Sequence, residues 1–286
     1  MNAGQPPTPE PEVPVGEISK RSSPRPPTRA GRARSTKAPT EAILCIDVGG
    51  SAIKGATVDS DGALVAERVR VPTPYPLSPE TLIEVIAAVA RRSPPANRVA
   101  IGFPGMVRSG VVLSAGNLPR LAGPRSEISP ALVAAWERFP LADRIGAELG
   151  VPTRIGNDAD VQGLAAIRGT GLEVVLTLGT GMGFAQFHDG VLAPHLELGH
   201  HPLRKRKTYD ELVGDVARRK IGNARWSARV DEAVGAISAL TFYDTLYVGG
   251  GNASKLTKAF TRKATIVDNA DGILGGARLW SLPKMP

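Results

Sequence analysis

The chain has 286 residues, 42% of them apolar, and one cysteine, so it can bury a sizeable core but cannot build a disulfide framework or a cysteine-rich zinc site. Its formal charge of +8 divides evenly, because residues 1–40 carry seven Lys/Arg against three Glu and the remainder carries 28 against 24. The body is therefore only mildly basic, which gives no case for nucleic acid as a partner, and no run of about 18 apolar residues exists to span a membrane.

In chain order, residues 1–40 come first, with nine of the 25 prolines and almost no large apolar side chain. Such a segment cannot offset its ordering entropy and is expected to be a disordered tail. It lacks the apolar stretch of a secretory signal, so the expected compartment is the cytosol. From Ala42 a strand (AILCIDV) enters a glycine turn, a second strand (IKGATVD) leads to an Asp61-Gly62 turn, and a third strand (ALVAERVRV) completes an antiparallel meander. Ser78 and Pro79 then cap and start a helix, TLIEVIAAVARR. Next come a strand (RVAIGFPG), a short strand (GVVLSAGN), a helix (LADRIGAEL) ended by Gly150, and a strand (TRIG) that stops at Asn157-Asp158 with a helix directly behind it.

The order then restarts. A strand (EVVLTLG), a glycine turn (TGMG) and two more strands (FAQFHDG, VLAPH) precede a helical region near Thr208 and a long amphipathic helix, SARVDEAVGAISALTF. A strand (TLYVGGG), a helix, a short strand (TIV) and a last helix (GILGGARLW) close the chain. A meander followed by alternating helices and strands, given twice, predicts an α/β protein with two domains of similar topology around a cleft. The expected boundaries are 41–156 for the smaller domain and 157–270 for the larger, with a terminal helix at 271–280 packing back on the first.

The two glycine turns carry the first chemical signal. Without side chains, backbone N–H groups can approach phosphate oxygens closely. A strand follows each turn, so neither is a Walker loop or a dinucleotide fingerprint. One is DVGGSAIKG, led by Asp47; the other is TLGTGMG, flanked by Thr177 and Thr180. Two such turns at equivalent places are far more specific than one.

DVGGSAIKG, FPGMVRSGVV, NDADVQG, LTLGTGMG, ELGH and LYVGGG, in this order, resemble the ROK family of sugar kinases in the actin-like ATPase superfamily, and within it the polyphosphate-dependent glucokinases. The resemblance implies two ribonuclease H-like domains with glucose and a phosphoryl donor, polyphosphate or ATP, between them. It implies that the turns (Gly49, Gly50 and Ser51; Thr177, Gly179, Thr180 and Gly181) grip the phosphates, with Lys54 and the glycines Gly249, Gly250 and Gly251 at the same end. Asp47 would hold magnesium through water. A turn at Asp271-Gly272 is a further candidate there. A homodimer is implied as well.

Transfer to a sugar hydroxyl needs a base in hydrogen-bond reach of it. Asp158, at a strand-to-helix junction, is the candidate; an acid there can also be an ordinary helix N-cap. In the family the Asn-Asp pair binds sugar and its Asp is the base, which here implies Asn157 and Asp158. Asp160 matches a less critical position and reads as a helix-start acid. Glu197 and His200, three apart in ELGH, suit paired pyranose hydroxyls as acceptor and donor. The cysteine cluster that backs this His as a zinc ligand in many relatives is absent, so no zinc is expected. His195 and His201 have no motif support and read as surface residues. Glu211 is the expected last sugar-binding acid, with Asp210 as its rival; Asn117, and Gly105 through its backbone, are further sugar contacts. The run Arg204 to Lys207 reads as a solvated loop or as a basic track for a long polyanion. The implied reaction is phosphorylation of glucose at its 6-hydroxyl. The alternatives are another hexose, mannose or fructose, and a non-catalytic sugar sensor.

Overall fold

The computed structural model describes residues 41–59, 62–124, 126–267 and 273–282. The tail expected over 1–40, Asp61 and the turn at Asp271-Gly272 lie outside the described residues. All that is described belongs to one compact unit, Ala38–Pro286.

Two five-stranded sheets organise this unit. The first contains β1 (Ile43–Val48), β2 (Ala52–Val58), β3 (Val69–Pro72), β4 (Arg98–Phe103) and β7 (Thr153–Asn157), in the order β3-β2-β1-β4-β7. The second contains β8 (Leu172–Leu178), β9 (Met182–His188), β10 (Val191–Leu192), β13 (Thr245–Gly249) and β14 (Thr265–Ile266), in the order β10-β9-β8-β13-β14. Renumbered within each half, both read 3-2-1-4-5, with an antiparallel meander on one side and parallel strands on the other. The duplication read from element order is thus a duplication of topology. Two small hairpins, β5 (Met106–Arg108) with β6 (Val111–Ser114) and β11 (Pro202–Arg204) with β12 (Lys207–Thr208), extend from the halves.

Helices cover the outer faces. On the first sheet lie α1 (Pro79–Arg92), α2 (Pro130–Trp136) and α3 (Leu141–Leu149). Ser78 caps α1 by accepting from Thr81 N, and Gly150 ends α3 in the left-handed region at φ 67°. Against the second sheet pack α5 (Tyr209–Val213), α6 (Asp215–Ile221) and α7 (Asn223–Thr241). Each outer layer holds one fully buried tryptophan whose indole N–H is satisfied: Trp136 donates to Leu77 O at 3.1 Å and Trp226 to Val213 O at 2.7 Å.

Between the sheets lie α4 (Asp158–Ala166) and α8 (Gly275–Leu279). One apolar cluster joins Ile43, Cys45 and Ala100 of the first sheet, Val161 and Leu164 of α4, Val175, Phe187 and Tyr247 of the second sheet, and Leu279 of α8. Glycines permit the approach. A Cβ on Gly275 would run into Val161 O, and one on Gly163 would meet the Phe187 ring at 2.7 Å.

Three expectations change. The third strand is shorter than its apolar alternation implies: only Leu64 bridges back to Val58 before pairing resumes at Val69. The helix expected after LYVGGG is a single 3-10 turn, Ala253–Lys255. Conversely α2, seven residues whose buried side chain is Trp136, was not legible as a period.

Candidate active site

Both glycine turns are pinned from behind by side chains. In the first, Gly49 O accepts from Thr73 Oγ1, Gly50 O accepts from Tyr75 Oη at 2.8 Å, and Ser51 O accepts from Thr73 N at 3.3 Å. In a planar trans peptide the carbonyl and the next N–H point in opposite directions. Holding these carbonyls therefore turns the Gly50 and Ser51 N–H groups the other way. Gly49 N–H is itself used, donating to Ala52 O at 3.0 Å, and a Cβ on Gly49 would lie 2.9 Å from that same oxygen. The second turn repeats the device. Gly179 O accepts from Asn252 Nδ2 at 3.1 Å and from Asp215 N at 3.0 Å, while Thr180 O accepts from Asp215 N at 3.3 Å. Thr180 and Gly181 N–H are directed away from α6 as a result, and the side of Gly179 where a Cβ would stand is open. Thr73, Tyr75, Asn252 and Asp215 have no glycine-like signature in sequence, and only their contacts show this role.

Asp47 lies near the end of β1, opposite Lys54 in the β2 register, and the two side chains form an ion pair at 2.8 Å. The parallel strands β1 and β4 bring this end of the sheet beside Asp158, the first residue of α4. Asn157 is the cap of that helix: its Oδ1 accepts from Ala159 N at 2.8 Å, and its Nδ2 donates to Gly105 O at 3.0 Å. The ordinary cap reading of Asp158 is therefore not needed by the helix. The half-buried Asp158 carboxyl accepts from Ala159 N at 2.9 Å. Burial first, then the charges of Asp47, Asp160 and Glu197, push its pKa from 3.8 up to about 7, against the lowering effect of the Ala159 N–H. A half-neutralised carboxyl at physiological pH is what a general base requires.

The start of α4 is wedged between the sheets. A Cβ on Gly102 of β4 would touch Asp158 Cα at 3.5 Å, and one on Gly183 of β9 would press on Ala159 Cβ at 2.8 Å. Gly105 packs under the Gly116-Asn117 loop, since Cβ atoms on Gly105 and Gly116 would strike Ser114 O and Pro104 O. Gly105 thus touches both Asn157 and the loop that carries Asn117, whose Oδ1 accepts from Arg120 at 3.0 Å.

The second wall corrects several expectations. Glu211 is turned away: its carboxylate reaches back to Thr208 N at 2.9 Å while Thr208 Oγ1 accepts from Glu211 N at 3.2 Å, a complete capping box for α5. Asp210 is the acid that faces inward. Its Oδ1 accepts from Met182 N at 2.7 Å, its carboxylate occupies the space where Cβ atoms on Gly181 and Gly199 would stand, and Oδ2 lies 3.9 Å from His200 Nε2. One residue of helical rotation separates the two carboxylates, and sequence spacing does not resolve which side each takes. His195 is not a surface residue, nor is Asp160 a mere helix-start acid. Their side chains are 6% and 2% exposed, with His195 Nδ1 3.0 Å from Asp160 Oδ1 and His195 Nε2 4.0 Å from Glu197 Oε2. His201 is exposed, as expected.

Gly249 pairs with Thr177 in the β13–β8 register, Gly250 adopts φ 90° with its missing Cβ against the Leu178 backbone, and among the described residues nothing stands where a Cβ on Gly251 would be. Among the basic run, Arg204 pairs with Glu232 at 3.2 Å, and Lys205 and Arg206 form the β11–β12 turn with φ of 50° and 62°.

The chain is similar to known proteins. The ROK family model matches residues 43–213. Over 252 residues, the chain is 33% identical to polyphosphate glucokinase of Mycobacterium tuberculosis (strain ATCC 25618 / H37Rv), spanning 81% of this chain and 88% of that protein. The crystal structure of inorganic polyphosphate/ATP-glucomannokinase from Arthrobacter sp. strain KM superposes with a TM-score of 0.70 at 31% identity, covering 83% of this chain and 97% of the other. A ROK family glucokinase from Streptomyces griseus in complex with glucose and AMPPNP superposes with a TM-score of 0.66 at 17% identity, covering 82% and 97%, a likeness of fold.

Proposed function

The chain belongs to the ROK family, and on that premise we propose that it is a hexokinase-type phosphotransferase that moves the terminal phosphoryl group of inorganic polyphosphate or ATP to the 6-hydroxyl of glucose. What supports this reading is Asp158, half-buried at the start of α4, where burial and the charges of Asp47, Asp160 and Glu197 raise its pKa to about 7, together with two glycine turns whose carbonyls are held by Thr73, Tyr75, Asn252 and Asp215.

In this reading Gly105, Asn117 and Asn157 of one half, and Glu197, His200 and Asp210 of the other, hold the sugar hydroxyls. Asp210 takes the place expected of Glu211. Asp158 removes the proton from the 6-hydroxyl as its oxygen bonds to the terminal phosphorus; the bond to the remaining phosphate chain breaks, and that chain leaves with the negative charge. Gly50, Ser51, Thr180 and Gly181 donate N–H groups to the donor's phosphates, and Lys54 adds a cation. Asp47 fits a hard cation that keeps most of its water and takes one carboxylate plus phosphate oxygens. Bound magnesium would neutralise charge on the phosphates, with Asp47 as its protein anchor. The halves 41–156 and 157–270 would close on the sugar and exclude water as a competing acceptor.

Homodimer formation and a cytosolic location belong to the same proposal and are supported by the family resemblance; among the described residues no helix is long and apolar enough to cross a membrane. The test is glucose 6-phosphate formation with polyphosphate and with ATP in separate reactions, with mannose as a parallel acceptor because the Arthrobacter relative is named a glucomannokinase. Turnover of glucose with either donor is expected. Silence with both donors and both sugars, in folded protein, would overturn the assignment.

A further inference from the structure

His195 and Asp160 form a buried pair beside the acid that the proposed sugar site needs most. The His195 side chain is 6% exposed and that of Asp160 2%, and Nδ1 lies 3.0 Å from Asp160 Oδ1. A buried carboxylate there fixes the tautomer: Nδ1 carries a proton and donates it. The other nitrogen, Nε2, is buried and has no hydrogen-bond partner among the described residues. An orphaned imidazole nitrogen costs free energy unless something completes it. What it faces is Glu197, whose Oε2 is 4.0 Å away and whose side chain is one-third exposed. A hydrogen bond between them needs that distance to shorten by about 1 Å.

We propose that His195, anchored through Nδ1 on Asp160, is a positioning residue that donates its Nε2–H to the Glu197 carboxylate and so fixes the acceptor that holds the sugar hydroxyls beside Asp158. This rests on the sugar-kinase reading of the site.

The charges around the ring give the device a sign. The groups facing His195 are Asp160 and Asp158 from α4 and Glu197 from its own segment. Burial alone would lower the imidazole pKa; the Asp160 hydrogen bond and the three carboxylates outweigh it and raise it. When protonated, the ring offers both N–H groups, one to each carboxylate. It also offsets part of the negative charge that pushes the Asp158 pKa upward, so its removal moves that pKa further up.

The variants separate this role from simple packing. His195→Asn keeps a donor for Asp160 and loses the one for Glu197, whereas His195→Gln reaches Glu197 as a neutral donor. Asp160→Asn leaves the ring in place and weakens its charge. The experiment measures KM for glucose, kcat and the acid limb of kcat/KM from pH 5 to 9. For His195→Asn we expect KM to rise about tenfold to hundredfold, the range for losing a hydrogen bond to a charged group. We expect the acid limb to move to higher pH, and His195→Gln to recover most of the KM while leaving that limb displaced. Should His195→Asn fail to fold, Asp160→Asn carries the test, with the KM for glucose rising at a lower pH than in the wild type. Unchanged KM and an unmoved limb in every folded variant, with a wild type that turns over glucose, would overturn the proposal. A wild type that does not phosphorylate glucose would instead overturn the reading on which it rests.

Discussion

Asp158 shows how one residue's environment sets both its chemistry and its cost. Removing the carboxylate in Asp158→Asn should lower turnover by roughly 10² to 10⁴, the range ascribed to a general base, while glucose still binds; kcat and equilibrium titration check this. In the wild type, kcat/KM should fall as pH drops through about 7, where the base becomes protonated. Stability runs the opposite way. The folded protein holds this proton up to about pH 7, whereas the unfolded chain releases it near 3.8, so the wild type loses stability as pH rises across that window. Asp158→Asn should therefore melt higher than the wild type at pH 8, with the gap gone below pH 4. Asp210 and Glu211 make a second pair of opposites. Asp210→Ala should raise KM for glucose by tenfold or more, whereas Glu211→Ala should leave KM alone and cost about 1 kcal/mol of stability through the lost capping box. Equal effects on KM would remove the distinction drawn from their side-chain directions.

At the level of elements, the site depends on where α4 begins. Gly183 on β9 sets this from the second sheet: a methyl there would meet Ala159 Cβ at 2.8 Å and press on Thr177 as well. Overpacking of that kind costs about 1–3 kcal/mol, and a shift of about 1 Å at the base costs turnover on the order of 10²-fold. Gly183→Ala is expected to show both losses in a thermal melt and a kcat measurement. Gly102→Ala, whose methyl would meet Asp158 Cα at an ordinary 3.5 Å, should show a much smaller effect. If the two substitutions behave alike, the placement of α4 is not what limits turnover.

Across the whole molecule, the two 3-2-1-4-5 sheets share an apolar cluster with α4 and α8 between them. The proposed sugar ligands come from both halves, so glucose should stabilise the protein as a unit. At a hundred times its Kd, a ligand that binds only the folded state adds about 2.7 kcal/mol. The expected result is one cooperative melting transition moved upward by glucose; a transition that splits, with only one part responding, would count against a site shared by both halves.

The sequence by itself determined most of the order of elements, though not α2 or the 3-10 turn after β13, together with their duplication, the cap of α1, the stop of α3 and the positions of both glycine turns, because these depend on local periodicity and on residues whose backbone limits are intrinsic. It also placed Asp47, Asn157 and Asp158 at strand ends, where a parallel sheet opens its cleft. Only the tertiary structure decided which polar residues act together. Thr73 and Tyr75 pin one turn from 24 and 25 positions away, and Asn252 and Asp215 the other, Asn252 from 73, and no spacing rule connects them. Asp210 and Glu211 are adjacent in sequence, yet helix rotation sends one to the Met182 N–H beside the second glycine turn and the other to a cap. His195 and Asp160, 35 residues apart, have no visible link in the sequence and are a buried, hydrogen-bonded pair in the fold. Burial and approach are properties of the packed chain, and the pKa values and hydrogen bonds that make chemistry follow from them.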